Sequence, residues 1–363
     1  MRAIILTAIL MPVQADLKAQ DFGIRGRLHL DALYGISDAD QFSNGFNNRR
    51  ARMGMSGTVT EGWHGQIEID FADGGISPND LRLRRSFANG GRLFIGQFKV
   101  PQGLNELTSS NRITFLERST PSNLVTDARR LGIAYDYFGD NYGFKTMVFG
   151  RALGQRGSLV DDMPIGVAFR TVFFPEVGGG ILHLGASVVY ENLMDNNSVT
   201  FRDRPEARDS KGGSVRLIGV TIPDAESTFK GGAEFLFING PFSVEAEYLM
   251  AAVQRSEGDN PAFSGWHVQA SYVLTGESRA YSNGVPGTVS PSGDRGAWEL
   301  AARFSFADLN DSGFTGGEQK NLTIGLNRYV TSRLRFMGNL IVVNVDNIDE
   351  SPILGTVRAQ FNF

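Results

Sequence analysis

The chain has 363 residues, 41% hydrophobic and 20% charged, with 44 Gly, 26 Phe, no Cys and a formal net charge of −4. The missing Cys excludes thiol redox chemistry, a disulfide framework and Cys-ligated zinc, and net acidity argues against a nucleic-acid partner. Mean hydropathy is −0.16, and no stretch reaches the roughly 18 apolar residues that a spanning helix needs.

Met1-Arg2, the apolar run Ala3 to Val13 and small-residue sites at Val13-Gln14-Ala15 and Leu17-Lys18-Ala19 describe a secretory signal peptide. Residues 1–20 are therefore set aside, with cleavage expected between about 15 and 20, and residues 21–363 are read as one domain. Pro12 would interrupt the alternative, an N-terminal helix of a soluble protein.

From there the dominant signal is alternation with period two. Phe22, Ile24, Leu28, Leu30, Ala32 and Tyr34 share one face, against Arg25, Arg27, His29 and Asp31. Trp63, Ile67, Ile69 and Phe71 oppose His64, Gln66, Glu68 and Asp70. The pattern returns over Phe242–Ala252, Trp266–Leu274 and Trp298–Phe306. Strands of a soluble sandwich run about 5–6 residues. These run longer, as strands crossing a bilayer at a tilt must. Aromatic residues close the apolar faces, as interfacial girdles do. The apolar face is thus assigned to lipid and the charged face to a watery lumen.

Connections alternate in length. Short turns fall at Thr60-Glu61-Gly62, Asn89-Gly90-Gly91, Gly139-Asp140-Asn141, Asn239-Gly240-Pro241 and Thr331-Ser332. Longer polar segments fall at 35–45, 72–79, 99–129, 152–163, 192–213 and 307–318. Short turns on one rim and long loops on the other are expected of an outer-membrane barrel. Seventeen segments qualify as strands, but termini on one side require an even number. Ser214–Ile222 lacks clear alternation and precedes Pro223, so it is assigned to a long outer loop. The fold predicted is an all-β, transmembrane, antiparallel β-barrel of about sixteen strands, in the outer membrane of a Gram-negative bacterium. Phe363 ends the last alternating strand and resembles the signal read by the barrel-assembly machinery.

Several segments carry a family resemblance. They include Phe46-Asn-Asn-Arg-Arg-Ala-Arg-Met-Gly-Met-Ser-Gly57, Gly96-Gln-Phe-Lys-Val-Pro-Gln-Gly103 and Leu107-Thr-Ser-Ser-Asn-Arg-Ile-Thr-Phe-Leu-Glu-Arg-Ser119. Leu274-Thr-Gly-Glu-Ser-Arg279 and Gly296-Ala-Trp-Glu-Leu-Ala-Ala-Arg303 are the strongest. With these the chain resembles the phosphate-selective porin O and P family. The resemblance implies a homotrimer of sixteen-stranded porins that admits small anions such as phosphate. It also implies a loop folded into the lumen after the fifth strand and a ladder of lumen Arg leading to a constriction. Arg328 departs from the family, which usually has an aromatic residue there.

Porin selectivity comes from pore width, lining dipoles and rings of charge. Parity turns Arg25, Arg27, Arg50, Arg52, Arg82 and Arg84 inward, and these form the candidate anion path. Arg333, Arg335 and Arg358 share that parity, while Arg49 has outward parity. The plain alternative is a solvated interior of mixed charge, since Glu68, Asp70, Glu245, Glu247 and Glu299 face the same lumen. Only six of the 35 basic residues are Lys. Arg suits oxyanions through its fixed fork of donors, although genomic base composition gives the same bias. Segment 99–129, with Lys99, Arg112, Arg118 and Arg129, is read as the constriction loop. The four His are scattered without metal-ligand spacing, and no nucleophile or phosphate-cradling motif occurs. No cofactor is expected. The surroundings expected are outer-membrane lipid and lipopolysaccharide. The reading is a passive anion-preferring channel, with phosphate or polyphosphate as candidate permeants and a general or organic-acid channel as the alternative. A barrel enzyme would need a Ser/His or Asp/His constellation near one rim, and the sequence marks none.

Overall fold

The computed structural model describes residues 22–153, 164–194, 198–211, 213–346, 348 and 351–363. The expected signal peptide and most of segment 152–163 lie outside them. Sixteen long strands form one antiparallel sheet. In chain order they are β1 (Gly23–Ser37), β2 (Gly45–Thr60), β3 (Trp63–Asp70), β4 (Ser77–Ser86), β5 (Arg92–Lys99), β6 (Arg129–Phe138), β7 (Tyr142–Phe149) and β8 (Ile165–Phe173). Then come β9 (Gly180–Asn192), β10 (Ala225–Asn239), β11 (Phe242–Arg255), β12 (Ala262–Val273), β13 (Ala297–Asp311), β14 (Phe314–Tyr329), β15 (Leu334–Val345) and β16 (Ile353–Asn362). Each pairs with the next, and β1 pairs with β16 from Arg27↔Asn362 to Ser37↔Ile353, so the sheet closes into a barrel without a free edge.

Alternation decides what faces where. Ile24, Leu28, Ile133, Trp266, Phe304, Ile324 and Leu340 are exposed on the outside. Glu68, Arg170, Glu245, Glu299, Arg303 and Arg358 are buried on the inside. A continuous apolar exterior is intolerable in water and expected against lipid.

The segment Ser214–Ile222, kept out of the strand count, contributes no barrel strand. Its end, Ile218–Pro223, pairs with Ser198–Asp203 in a separate hairpin inside the β9–β10 connection. Two expectations about connections are corrected. The long outer segment expected at 307–318 is mostly strand: β13 and β14 run on to a tight turn at Ser312-Gly313. Here Ala307 and Leu309 point inward and pack with Ile218, Ile222 and Phe201 of the hairpin. Above the lipid the pattern inverts, apolar inside and polar outside, so the strand reads as a polar loop. Nor is every connection on the terminal rim short. Residues 274–296, between β12 and β13, contain a hairpin (Arg279–Ser282 with Val285–Val289) that enters the lumen.

Residues 100–128, between β5 and β6, also turn inward. They carry two short helices, α1 (Leu104–Leu107) and α2 (Thr120–Val125). Ser119 caps α2 by accepting from the Ser122 N–H, and Pro121 sits where a missing N–H costs nothing. A buried loop must satisfy its backbone groups, and the barrel wall does so here. Arg303 of β13 donates to the Glu117 carbonyl at 3.1 Å, Asn327 of β14 to Thr114 at 2.9 Å and Arg335 of β15 to Ile113 at 2.8 Å. On β16, Arg358 donates to Leu116 at 2.6 Å and Gln360 to Asn111 at 3.1 Å. From the opposite direction the Leu104 N–H donates to Glu247 of β11 at 2.6 Å.

Candidate functional site

Three inward segments fill one side of the lumen. Glu206, in the β9–β10 connection, accepts from the Thr120 N–H at 3.0 Å and from Arg303 Nε at 3.0 Å, tying that connection to the inner loop and the wall. The hairpin of residues 279–289 is seated by Arg279 on Glu299, by Tyr281 against His183 at 2.6 Å and by Arg170 donating to the Gly284 carbonyl at 2.8 Å. Acidic wall residues, among them Glu234, Glu245, Glu247 and Glu299, are thereby consumed in packing these segments. They do not line an open path.

The opposite side stays hollow. A cavity of about 250 Å³ lies between β1–β7 and the inner loop. Its wall carries Arg27, Arg50, Arg52, Arg82, Arg129, Lys99 and Lys145, and the loop adds Arg118, Ser109 and Ser110. Among the described residues Asp80 is the one carboxylate of the lining. Glu68 pairs with Arg27 at 2.9 Å and Arg52 at 3.4 Å, and Asp70 with Arg52 at 2.6 Å. Asp80 pairs with Arg129 at 2.9 Å. Glu106 of α1 pairs with Lys99 at 3.1 Å and Arg118 at 2.9 Å. Burial pushes the Glu106 carboxyl up, but Arg118 and Lys99 outweigh it and hold it below the ordinary range. Eight cations thus face four carboxylates, leaving a net charge of about +4 around one small space.

Four of the six Arg expected in the path, Arg27, Arg50, Arg52 and Arg82, meet at this cavity, as do Lys99, Arg118 and Arg129 of the expected loop. Arg25 and Arg84 sit near His64 toward the terminal rim. Arg112 stands apart in a smaller void beside Arg279 and Glu245. Arg335 and Arg358 are spent on loop carbonyls, and Arg333 lies exposed in the β14–β15 turn.

Arg49 does not follow its outward parity. A β-bulge between β1 and β2 sets His29 opposite Arg50 and Leu30 opposite Asn48, leaving Arg49 as the extra residue. Its side chain turns inward and forks onto Glu117 at 2.6 and 2.8 Å. Burial raises the Glu117 carboxyl, but Arg49, Arg50 and Arg358 together hold it well below the ordinary range. Alternation does not mark Lys145 as a lumen residue, because β7 places apolar Met147 and Phe149 inward beside it. In the β9–β10 connection, Arg204 and Arg216 converge on the Gly213 carbonyl. Burial, with Arg216 and Arg208 close by, lowers Arg204 to about 10. Only composition hints at this group, since the segment around it is rich in Arg.

A closed sixteen-stranded barrel with an apolar exterior, inward loops and a charged internal cavity defines an outer-membrane porin. The profile of the phosphate-selective porin O and P family matches residues 22–363, and the chain belongs to that family. It is 27% identical to Porin O of Pseudomonas aeruginosa over 380 residues, covering 91% of this chain and 84% of that one. An uncharacterized protein of Caulobacter vibrioides is 28% identical over 337 residues, covering 87% of this chain and 67% of the relative. Among solved structures, a loop L8 deletion mutant of OmpT, an outer membrane protein of Vibrio cholerae, superposes with a TM-score of 0.64 at 12% identity, covering 95% of this chain and all 100% of the other. The anion-selective porin from Comamonas acidovorans does so with 0.62 at 12%, covering 95% and 100%. At that identity the likeness speaks for the fold alone.

Proposed function

We propose that this porin is a passive diffusion channel that prefers anions, with phosphate or polyphosphate as the permeant to test first. The observation that carries this is the imbalance of eight cations over four carboxylates around the cavity. Guanidinium groups fork onto oxyanions, and a confined cationic passage concentrates them. Residues 100–128 act as the constriction, holding Ser109, Ser110 and Arg118 against the basic wall. In bilayers, millimolar phosphate should reduce chloride current through the purified protein. Undiminished chloride current would leave a general or organic-acid channel as the better description. The N-terminal segment acts as a leader removed between about residues 15 and 20, which an intact mass of the exported protein checks. A homotrimer is proposed as well, since one OmpT structure of similar fold is described as a trimer form. Unheated electrophoresis checks it. Phe363, whose carbonyl accepts from the Gly26 N–H on β1, is offered as the contact for the assembly machinery, with lipid and lipopolysaccharide around the finished barrel.

A further inference from the structure

We infer that Lys145, a lining residue seated on the ring of Phe94 behind the lining, forms an anion-selecting element of the cavity wall, in which an aromatic face stands where a counter-charge would otherwise be. The inference rests on the anion-channel reading and goes beyond it by naming how the wall keeps its charge.

The register creates the arrangement. Arg92 of β5 faces Asp136 of β6, which in turn faces Lys145 of β7. Asp136 gives both oxygens to Arg92, at 2.7 and 3.0 Å. Lys145, on the other side of the same carboxylate, makes no ion pair among the described residues. Its Nζ lies instead 4.4 Å from the centroid of the Phe94 ring and 5.0 Å from that of Phe98. The Arg82 guanidinium carbon is 5.5 Å from the Phe94 centroid, and that of Arg92 is 5.8 Å away. Three cations therefore gather about one ring.

That ring is fixed. Phe94 is 4% exposed and packs with Phe98, Ala134 and Met147. Gly96 lies between Phe94 and Phe98 on the inward face and opposite Arg82, so no side chain separates the cations from the rings. The negative face of a ring attracts cations, but it has no formal charge. A carboxylate here would cancel one positive charge of the wall. The ring cancels none, and it cannot compete for donors as carboxylate oxygens do. Lys145 and Arg82 both line the cavity and, among the described residues, face no carboxylate at ion-pair distance; Arg82 gives one donor to Gln66 at 2.9 Å and no carboxylate claims the rest. An ammonium point charge beside a guanidinium fork suits a compact oxyanion of high charge density, such as inorganic phosphate.

The test uses the purified full-length protein in planar bilayers, reading the chloride-to-potassium permeability ratio and the block of chloride current by inorganic phosphate. Phe94→Leu changes no formal charge. Without the ring, Lys145 turns to the neighbouring Asp136 or Asp80, and its ammonium is drawn away from the path. The net charge of the wall is unchanged, so the permeability ratio should fall by up to the limit for removing the ammonium outright, which at about 6 Å in water-like dielectric is about threefold in local anion concentration. Phosphate block should weaken in parallel. Phe94→Tyr keeps the ring and should keep the wild-type ratio. Lys145→Met, which removes the charge outright, should lower the ratio at least as far as Phe94→Leu, and Lys145→Arg should restore selectivity. Met147→Leu, in the same apolar cluster, should leave the ratio unchanged. A fall with Met147→Leu as large as with Phe94→Leu would show a packing effect and overturn the inference. An anion-selective wild type whose Phe94→Leu and Lys145→Met forms are equally selective overturns it alone. A cation-selective wild type removes the channel reading and this inference together.

Discussion

Glu106→Gln should make the channel more anion-selective while leaving the barrel intact. Glu106 holds Lys99 and Arg118 at 3.1 and 2.9 Å, and its carboxyl stays ionised because those two cations outweigh its burial. Gln keeps the volume and removes one negative charge, raising the net charge around the cavity from about +4 to about +5. Both partners stay anchored without it, since Arg118 donates to the carbonyls of Asn105 at 2.9 Å and Thr108 at 2.9 Å, and Lys99 to that of Thr108 at 3.4 Å. One unit charge about 5 Å from a passing ion in water is worth about 0.8 kcal/mol, roughly fourfold in local anion concentration. At physiological salt the Debye length of about 8 Å halves that energy, giving about twofold. The reversal potential in a KCl gradient should therefore shift further toward chloride in Glu106→Gln, and more so in dilute salt than at physiological salt. An unchanged potential, or one shifted toward potassium, would refute the placement of Glu106 against the ion path.

Three further outcomes follow from the same geometry. Glu117→Ala should loosen the inner loop by roughly 3–5 kcal/mol, because it strips Arg49 of its carboxylate and Arg358 of one of two; open-channel current noise should rise and the denaturation midpoint in detergent should drop. Asp203 is buried against Asn123 at 3.0 Å, and burial pushes its carboxyl up to about 7. A raised carboxyl stabilises the folded hairpin most at acid pH, loses that contribution as pH rises from about 4 to 7, and adds nothing further above. Asp203→Asn should remove that pH dependence of hairpin docking, read as protease resistance of residues 198–223 between pH 4 and 8. Arg82→Gln should lower anion preference, because Arg82 meets Gln66 at 2.9 Å and, among the described residues, no carboxylate at ion-pair distance, so the loss is not offset by a released pair.

The barrel was legible because lipid and water impose one rule on every strand. Trp266, Val268 and Ala270 could only face lipid if His267 and Gln269 faced the lumen, and the register agrees. The same rule brought Arg27, Arg50, Arg52 and Arg82 to one cavity. It failed wherever the lumen is not water. At the outer end Leu309 and Ile341 face inward onto the 198–223 hairpin, so apolar no longer means lipid. On β7, Met147 and Phe149 do the same beside Lys145. Arg49 escaped for a different reason: one extra residue in a bulge reverses parity, and nothing in Asn-Arg-Arg-Ala announces where the pairing slips. The inward turn of residues 274–296 was hidden because two of its partners, Arg170 and His183, lie on strands remote in sequence.

The most direct test of the central claim is the zero-current potential of the purified protein across a bilayer separating two KCl concentrations. The account predicts a potential whose sign reports chloride permeating faster than potassium. A potential of the opposite sign would contradict it.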